Sequence, residues 1–199
     1  IVRINYRLGP FGWFTHPSIQ DLQSGMDKSS NFGTLDIIAA LNWVQENIHL
    51  FGGDSDNVTI FGESAGGHNV FSLLVSEKSK GLFHKAIAMS GYTTSISQKN
   101  AYKPETKSST SNYSSWNVVN KILNDQIGSG LNSKPSKEEI RGILLNLSSK
   151  DFFKYYSDRQ TYEELPLLTS DGIVIPKIGL KESLYNSEHI NEVPIIAGS

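Results

Sequence analysis

The sequence predicts an α/β domain with a central, mostly parallel sheet and flanking helices, and three observations carry that prediction. Short apolar runs alternate with segments of helical periodicity, which is how a chain builds strand-helix-strand units on a parallel sheet. One of those runs, Val58-Thr59-Ile60-Phe61, passes straight into Gly62-Glu63-Ser64-Ala65-Gly66. That cluster suits neither a strand nor a helix interior, so it marks a very tight strand-to-helix reversal. The 199 residues, 38% hydrophobic with a mean hydropathy of -0.29, suffice for a substantial core and contain no internal repeat. Residues 1–199 therefore read as one domain or a piece of one.

Taken in order, residues 1–6 (IVRINY) alternate apolar and polar like a strand, and the Gly and Pro of LGPFGW end it. From Thr34 to Ile48, Ile37, Leu41, Val44 and Ile48 recur at spacings of four, three and four, one face of an amphipathic helix. FGGDSDN closes that helix and leads to the strand at 58–61. After the turn at Ser64 a helix runs to about Ser76, and KAIAMSG is another short strand, ended by Gly91. Residues 93–115 are a polar, Ser/Thr/Lys-rich connection, followed by helical segments near 116–127 and 137–147. Ser136 with Glu139 three residues on forms a capping box that starts the second of these. A third helical piece is expected over KDFFKYY. Asp171-Gly172, between the apolar runs of LLTSDGIVIP, is a hairpin-type turn signal, and VPIIAGS reads as a last buried strand.

Composition narrows the function. Eighteen basic against twenty acidic residues give a net charge of -2 without long blocks of either sign, so no footprint for nucleic acid or anionic lipid is present. No stretch is apolar enough for a membrane span, and a small neutral partner fits better. The chain contains no cysteine, which excludes disulfides, thiolate nucleophiles and cysteine metal sites. No HExxH-type pair or histidine-carboxylate cluster occurs, and DSDN lacks the glycine and distal glutamate of a calcium loop, so no metal site is expected. Localisation stays open between cytoplasmic and secreted. The sequons at Asn57, Asn112 and Asn146 would matter only under secretion. Oligomeric state is equally open.

Gly62-Glu63-Ser64-Ala65-Gly66 matches G-x-S-x-G in the strand, sharp turn and helix context of a nucleophile elbow. The turn brings Gly62 and Gly66 close together while Ser64 holds a strained backbone, a steric reason for glycine at both elbow positions. A serine hydroxyl needs a base to become a nucleophile, and attack on an ester carbonyl produces an oxyanion that needs donors. The Ala65 N–H, at the start of a helix, is one such donor. The plainer alternative is a tight Gly-rich turn without chemistry.

With NYRLGPFGW, NFGTLDIIAALNWVQENIHLFGGDSDNVTIFGESAGG, GLFHKAIAMSG, LTSDGIVIP and VPIIAGS, the chain resembles the type-B carboxylesterase and lipase family, the cholinesterase-like branch of the α/β-hydrolases. The likeness covers residues 1–91 and 165–199, and 92–160 reads as a divergent, largely helical insertion or cap-like region. The resemblance implies a partial α/β-hydrolase fold, with residues 1–6, 58–61, 85–90 and 193–197 as strands four to seven. It implies Ser64 as nucleophile and the Ala65 amide as an oxyanion donor. It also implies Glu63 as a buried carboxylate beside the catalytic histidine, and Ser90 as a hydrogen-bonding neighbour of the triad acid. A solvated turn residue and a strand terminator are the respective alternatives for Glu63 and Ser90.

The family's HGGG-type oxyanion loop and its strand three, which lies between strands four and five, are expected before Ile1. The triad acid and histidine are expected beyond Ser199. Within the chain, His16 and His49 precede the serine, His68 is too local to serve it, and His84 belongs to a helix-to-strand connection. His189 with Asp171 is the one pair in the right order, although His189 comes before the final strand. Phe152, Phe153, Tyr155, Tyr156 and Tyr162 either line a substrate gorge or pack a core.

The resulting expectation is a serine carboxylic-ester hydrolase that acts through an acyl-enzyme on Ser64, takes a small-molecule ester and needs no cofactor. A non-catalytic, cholinesterase-like adhesion or binding module, or an inactive fragment, is the alternative. The ester itself is not legible.

Overall fold

The alternation of apolar strands and helices folds into a parallel sheet. The computed structural model describes residues 1–103, 115–127, 134–156 and 168–199. Among these, β1 (Thr59–Glu63), β2 (Lys85–Met89) and β5 (Ile195–Gly198) form a three-stranded sheet in the order β1-β2-β5. The register pairs Thr59 with Lys85 and Glu63 with Met89, and Ala86 with Ile195 and Met89 with Gly198, all in parallel. The strands expected at 58–61, 85–90 and 193–197 thus appear side by side.

Each strand is only four or five residues long, so its packing decides its place. The core joins Ile37, Ile38 and Leu41 of α3 (Phe32–Asn47) and Val70, Leu73 and Leu74 of α4 (Ala65–Val75) to Ile60, Ala86 and Ala88 of the sheet. Alanine at 86 and 88 lets α4 approach closely as the crossover between β1 and β2. The expected helices near 116–127, 137–147 and 150–156 appear as α6 (Trp116–Ile127), α7 (Lys137–Asn146) and α8 (Ser149–Lys154). The capping box at α7 is complete, Glu139 N–H donating to Ser136 Oγ at 3.2 Å and Ser136 N–H to Glu139 Oε2 at 2.7 Å.

Of the five aromatic residues in question, Tyr162 lies outside the described residues. Phe152 packs edge-on against Phe11, Phe14 and Tyr156, with ring centroids 5.4–5.7 Å apart, so this part of the cluster is packing. Phe153 stacks on Phe11, and Tyr155 donates its hydroxyl to Asp125.

Two expectations about secondary structure are overturned. Residues 1–6 form no strand. The reason is visible next to them: a slot of about 1200 Å³, lined by Ile4, Tyr6, Ile37, Leu41, Ile60 and Phe61, separates this segment from β1. Alternation supplies the right faces, but a strand exists only where its amides and carbonyls find a neighbour. The segment is held instead at Arg7, whose Nε and Nη2 donate to the Asp36 carboxylate at 2.8 and 2.6 Å. That bond holds the Asp36 carboxyl below its ordinary range. The LGPFGW breakers do end the extended run, but they start the five-residue helix α1 (Gly9–Trp13), because Pro10 suits a first helical turn.

Asp171-Gly172 is not a hairpin. Two-residue β4 (Thr169–Ser170) pairs in parallel with β3 (Ile96–Ser97), and Gly172 turns the chain at φ 74°. Asp171 is the organiser. Its Oδ1 accepts from the amides of Ile173, Val174 and Ile175 at 2.9–3.2 Å. Its Oδ2 accepts from Ser29 Oγ and from Asn31 Nδ2. A buried carboxylate that satisfies this many donors leaves all of them bare when removed. Asp171→Ala is therefore expected to cost roughly 3 kcal/mol or more in chemical denaturation. A loss below 1 kcal/mol would mean that water replaces the carboxylate.

The open side of β1 has a consequence for these 199 residues expressed by themselves. Parallel sheets are ordinarily covered on both faces, yet Phe61 is 56% and Ile196 68% exposed. We expect that chain to bind a hydrophobic dye and to self-associate. Size-exclusion chromatography showing a dye-silent monomer would contradict this.

Candidate active site

The elbow forms at the carboxyl end of β1, the end of a parallel strand where open α/β sheets place their ligands. Ser64 adopts φ 53° and ψ -113°, and only one other non-glycine among the described residues, Ser90 at φ 49°, has a positive φ. Such backbone costs on the order of 1–3 kcal/mol and persists only where its surroundings enforce it. Here the enforcement is the register: Ser64 N–H donates to Met89 O at 2.9 Å, and Ser90 N–H to Gly198 O at 2.6 Å. Because Glu63 pairs with Met89, the two strained serines leave neighbouring strands at the same level.

Ser64 is solvent-exposed and stands at the N-cap of α4, a position where a serine hydroxyl ordinarily accepts an amide hydrogen. It makes no such cap bond. Its Oγ is thereby left for another role, and the exposed Ala65 N–H has no backbone acceptor among the described residues. Among the described residues, a hydroxyl without a cap bond and an amide without a backbone acceptor thus stand together at the positive end of an eleven-residue helix, an end that favours negative charge.

The steric demand for glycine is not the one expected. A Cβ on Gly62 would lie 2.4 Å from the backbone C and O of Gly66, whereas a Cβ on Gly66 would meet nothing within 4 Å. The turn folds Gly66 over Gly62, and Gly66 faces the slot beside β1. The elbow itself thus requires glycine at 62 and not at 66. Sequence reading missed a second close approach, in which a Cβ on Gly67 would come within 2.8 Å of Gly91 Cα and Met89 O. A glycine beyond the motif was the available signal, but its partner lies 24 residues away.

Glu63 ends β1 and is exposed, contrary to the burial expected, because none of the described residues covers this end of the strand. Ser90 sits beside Ser64, as the register requires, and is exposed.

No described histidine ring hydrogen-bonds the Ser64 hydroxyl. His16 is fully buried against Trp116 with Nδ1 accepting from Ser18 N–H, and burial, with the Lys137 charge, pushes its pKa down to about 4. His84 Nδ1 accepts from Val58 N–H. His68 Nδ1 is engaged by Tyr92 O, and burial lowers its pKa. The pair of His189 with Asp171 does not form, since both Asp171 oxygens serve the turn and its neighbours. Among the described residues no group of three or more His, Asp or Glu is placed to hold a metal ion, and no helix is long and apolar enough to cross a membrane.

All of residues 1–199 match the model of the carboxylesterase family. Carboxylesterase 1E of Rattus norvegicus is 39% identical over 206 residues, covering 100% of this chain and 33% of that protein. Cocaine esterase of Homo sapiens is 37% identical over 198 residues, covering 100% of this chain and 30% of that protein. Para-nitrobenzyl esterase of Bacillus subtilis (strain 168) is 50% identical over 101 residues, 51% of this chain and 20% of that protein. The chain spans about a third of the length of the curated relatives that match all of it. Among solved structures, a PNB esterase superposes with a TM-score of 0.72 at 32% identity, covering 98% of this chain and 35% of that one. A thermophilic PNB esterase gives 0.71 at 31% identity, covering 98% and 35%.

Proposed function

Because the chain belongs to the carboxylesterase family and carries part of an α/β-hydrolase fold, we propose that the intact protein is a serine carboxylic-ester hydrolase working through an acyl-enzyme on Ser64. The observation that carries the mechanism is the strained, uncapped Ser64 beside the unbonded Ala65 amide. Ser64 Oγ attacks the ester carbonyl while a base takes its proton, and the carbonyl oxygen becomes an oxyanion that accepts from Ala65 N–H. Collapse returns the proton to the departing alcohol and leaves the acyl group on Oγ. Water, deprotonated by the same base, then releases the carboxylic acid and restores the serine.

The acid and histidine that serve Ser64 are placed beyond Ser199, following the serine-acid-histidine order of this kind of triad. Glu63 and Ser90 are assigned to the ring of groups that holds them. The substrate is a small ester, in keeping with relatives named for carboxylic, cocaine and para-nitrobenzyl esters. Neither metal nor organic cofactor enters the scheme.

The test is covalent labelling. A fluorophosphonate added to the intact protein is expected to leave its phosphonyl group on the peptide that contains Ser64, as read by mass spectrometry. A protein that is folded yet unlabelled would favour a binding module on the same fold.

A further inference from the structure

Among the buried polar side chains beside the elbow that the mechanism leaves unused is His68. His68 lies in the first turn of α4 and is only 7% exposed. Its backbone N–H donates to the carbonyl of Ser64 at 3.0 Å, closing the first helical turn onto the nucleophile. Its ring reaches the other way: Nδ1 lies 2.7 Å from the carbonyl oxygen of Tyr92, and the imidazole stacks on the Tyr92 ring with centroids 4.1 Å apart and planes at 28°. A carbonyl only accepts, so Nδ1 carries the hydrogen. The segment it grips is strained Ser90, then Gly91, whose backbone touches that of Gly67, then Tyr92. Backbone held in such a conformation needs its surroundings to hold it, and at Tyr92 the hold is His68.

We propose that His68 is a positioning residue: one residue bonded to both Ser64 and Tyr92, it fixes the Ser90 turn relative to the nucleophile. The proposal rests on the ester-hydrolase reading for its kinetic consequence only. Burial keeps the imidazole neutral, in accord with a fixed donor and not a proton shuttle.

The experiment uses the intact protein and three variants. His68→Phe keeps an aromatic ring and removes the donor, His68→Asn places an amide N–H where Nδ1 was, and His68→Leu repeats the loss of the donor if phenylalanine does not fold. With a short-chain p-nitrophenyl ester, His68→Phe is expected to lower kcat about tenfold or more with KM within about twofold, and His68→Asn to recover kcat to within about threefold. Hydrogen exchange of the peptide spanning residues 89–93 reads the clamp whether or not ester is turned over: faster in His68→Phe, near parental in His68→Asn. Unchanged exchange in His68→Phe, or equal losses in the Phe and Asn variants, overturns the proposal. An unreactive parent with exchange responding as expected would instead remove the hydrolase reading and leave the clamp standing.

Discussion

Ser64→Ala in the intact protein is expected to lower kcat for a short-chain p-nitrophenyl ester by about ten-thousand-fold or more, some 5 kcal/mol of transition-state stabilisation. Without Oγ no acyl-enzyme forms, and residual rate comes only from binding and the oxyanion donors. The fold survives, because Ser64 is exposed, caps nothing and makes its register bond through the backbone. Ser64→Gly separates chemistry from strain. It removes the same nucleophile but relieves a backbone at φ 53°, so it is expected to be as inactive as the alanine variant and about 1 kcal/mol more stable. Wild-type turnover in either variant would end the assignment of Ser64.

Gly62→Ala is expected to be the most damaging small substitution in the chain. The added methyl carbon would sit 2.4 Å from the backbone of Gly66, and no flexible side chain is there to yield. Either β1 leaves its register with β2 or the turn opens. Both displace Ser64 and Ala65, and we expect a loss of more than about 4 kcal/mol in denaturant unfolding together with loss of ester hydrolysis. Gly66→Ala is the informative partner, since alanine is favoured within a helix and the elbow leaves room for its Cβ. A mild effect at 66 against a severe one at 62 would confirm the asymmetry. Equal damage would show that the slot beside β1 is filled in the intact protein and presses on residue 66.

How much of this was legible follows from how local each signal is. The α7 capping box, the amphipathic face of α3 and the reversal at Ser64 were all readable, because each is set by residues within a few positions of one another. The apolar and polar alternation of residues 1–6 was equally plain and still misled, since no alternation says whether a neighbouring strand stands beside it. Asp171-Gly172 misled in another way. The dipeptide does turn the chain, but Asp171 spends its oxygens on three following amides and on Ser29 and Asn31, contacts about 140 positions away that no local pattern encodes.

The sequence by itself determined the α/β class, the identity of the strained serine and, through family resemblance, the reaction to expect of it. Local sterics and periodicity suffice for that, because a G-x-S-x-G turn between a strand and a helix has few shapes available. Tertiary structure alone decided which glycine the elbow cannot replace, that Ser90 stands level with Ser64, and that His68 reaches Tyr92. The first is a contact between residues four apart that depends on how the turn closes, and the other two are distances between segments 26 and 24 residues apart, fixed only when β1 and β2 pair in one register and α4 settles across them. Registers are chosen by burial of the whole face of a strand, and that is a property of the packed core and not of any short stretch of chain.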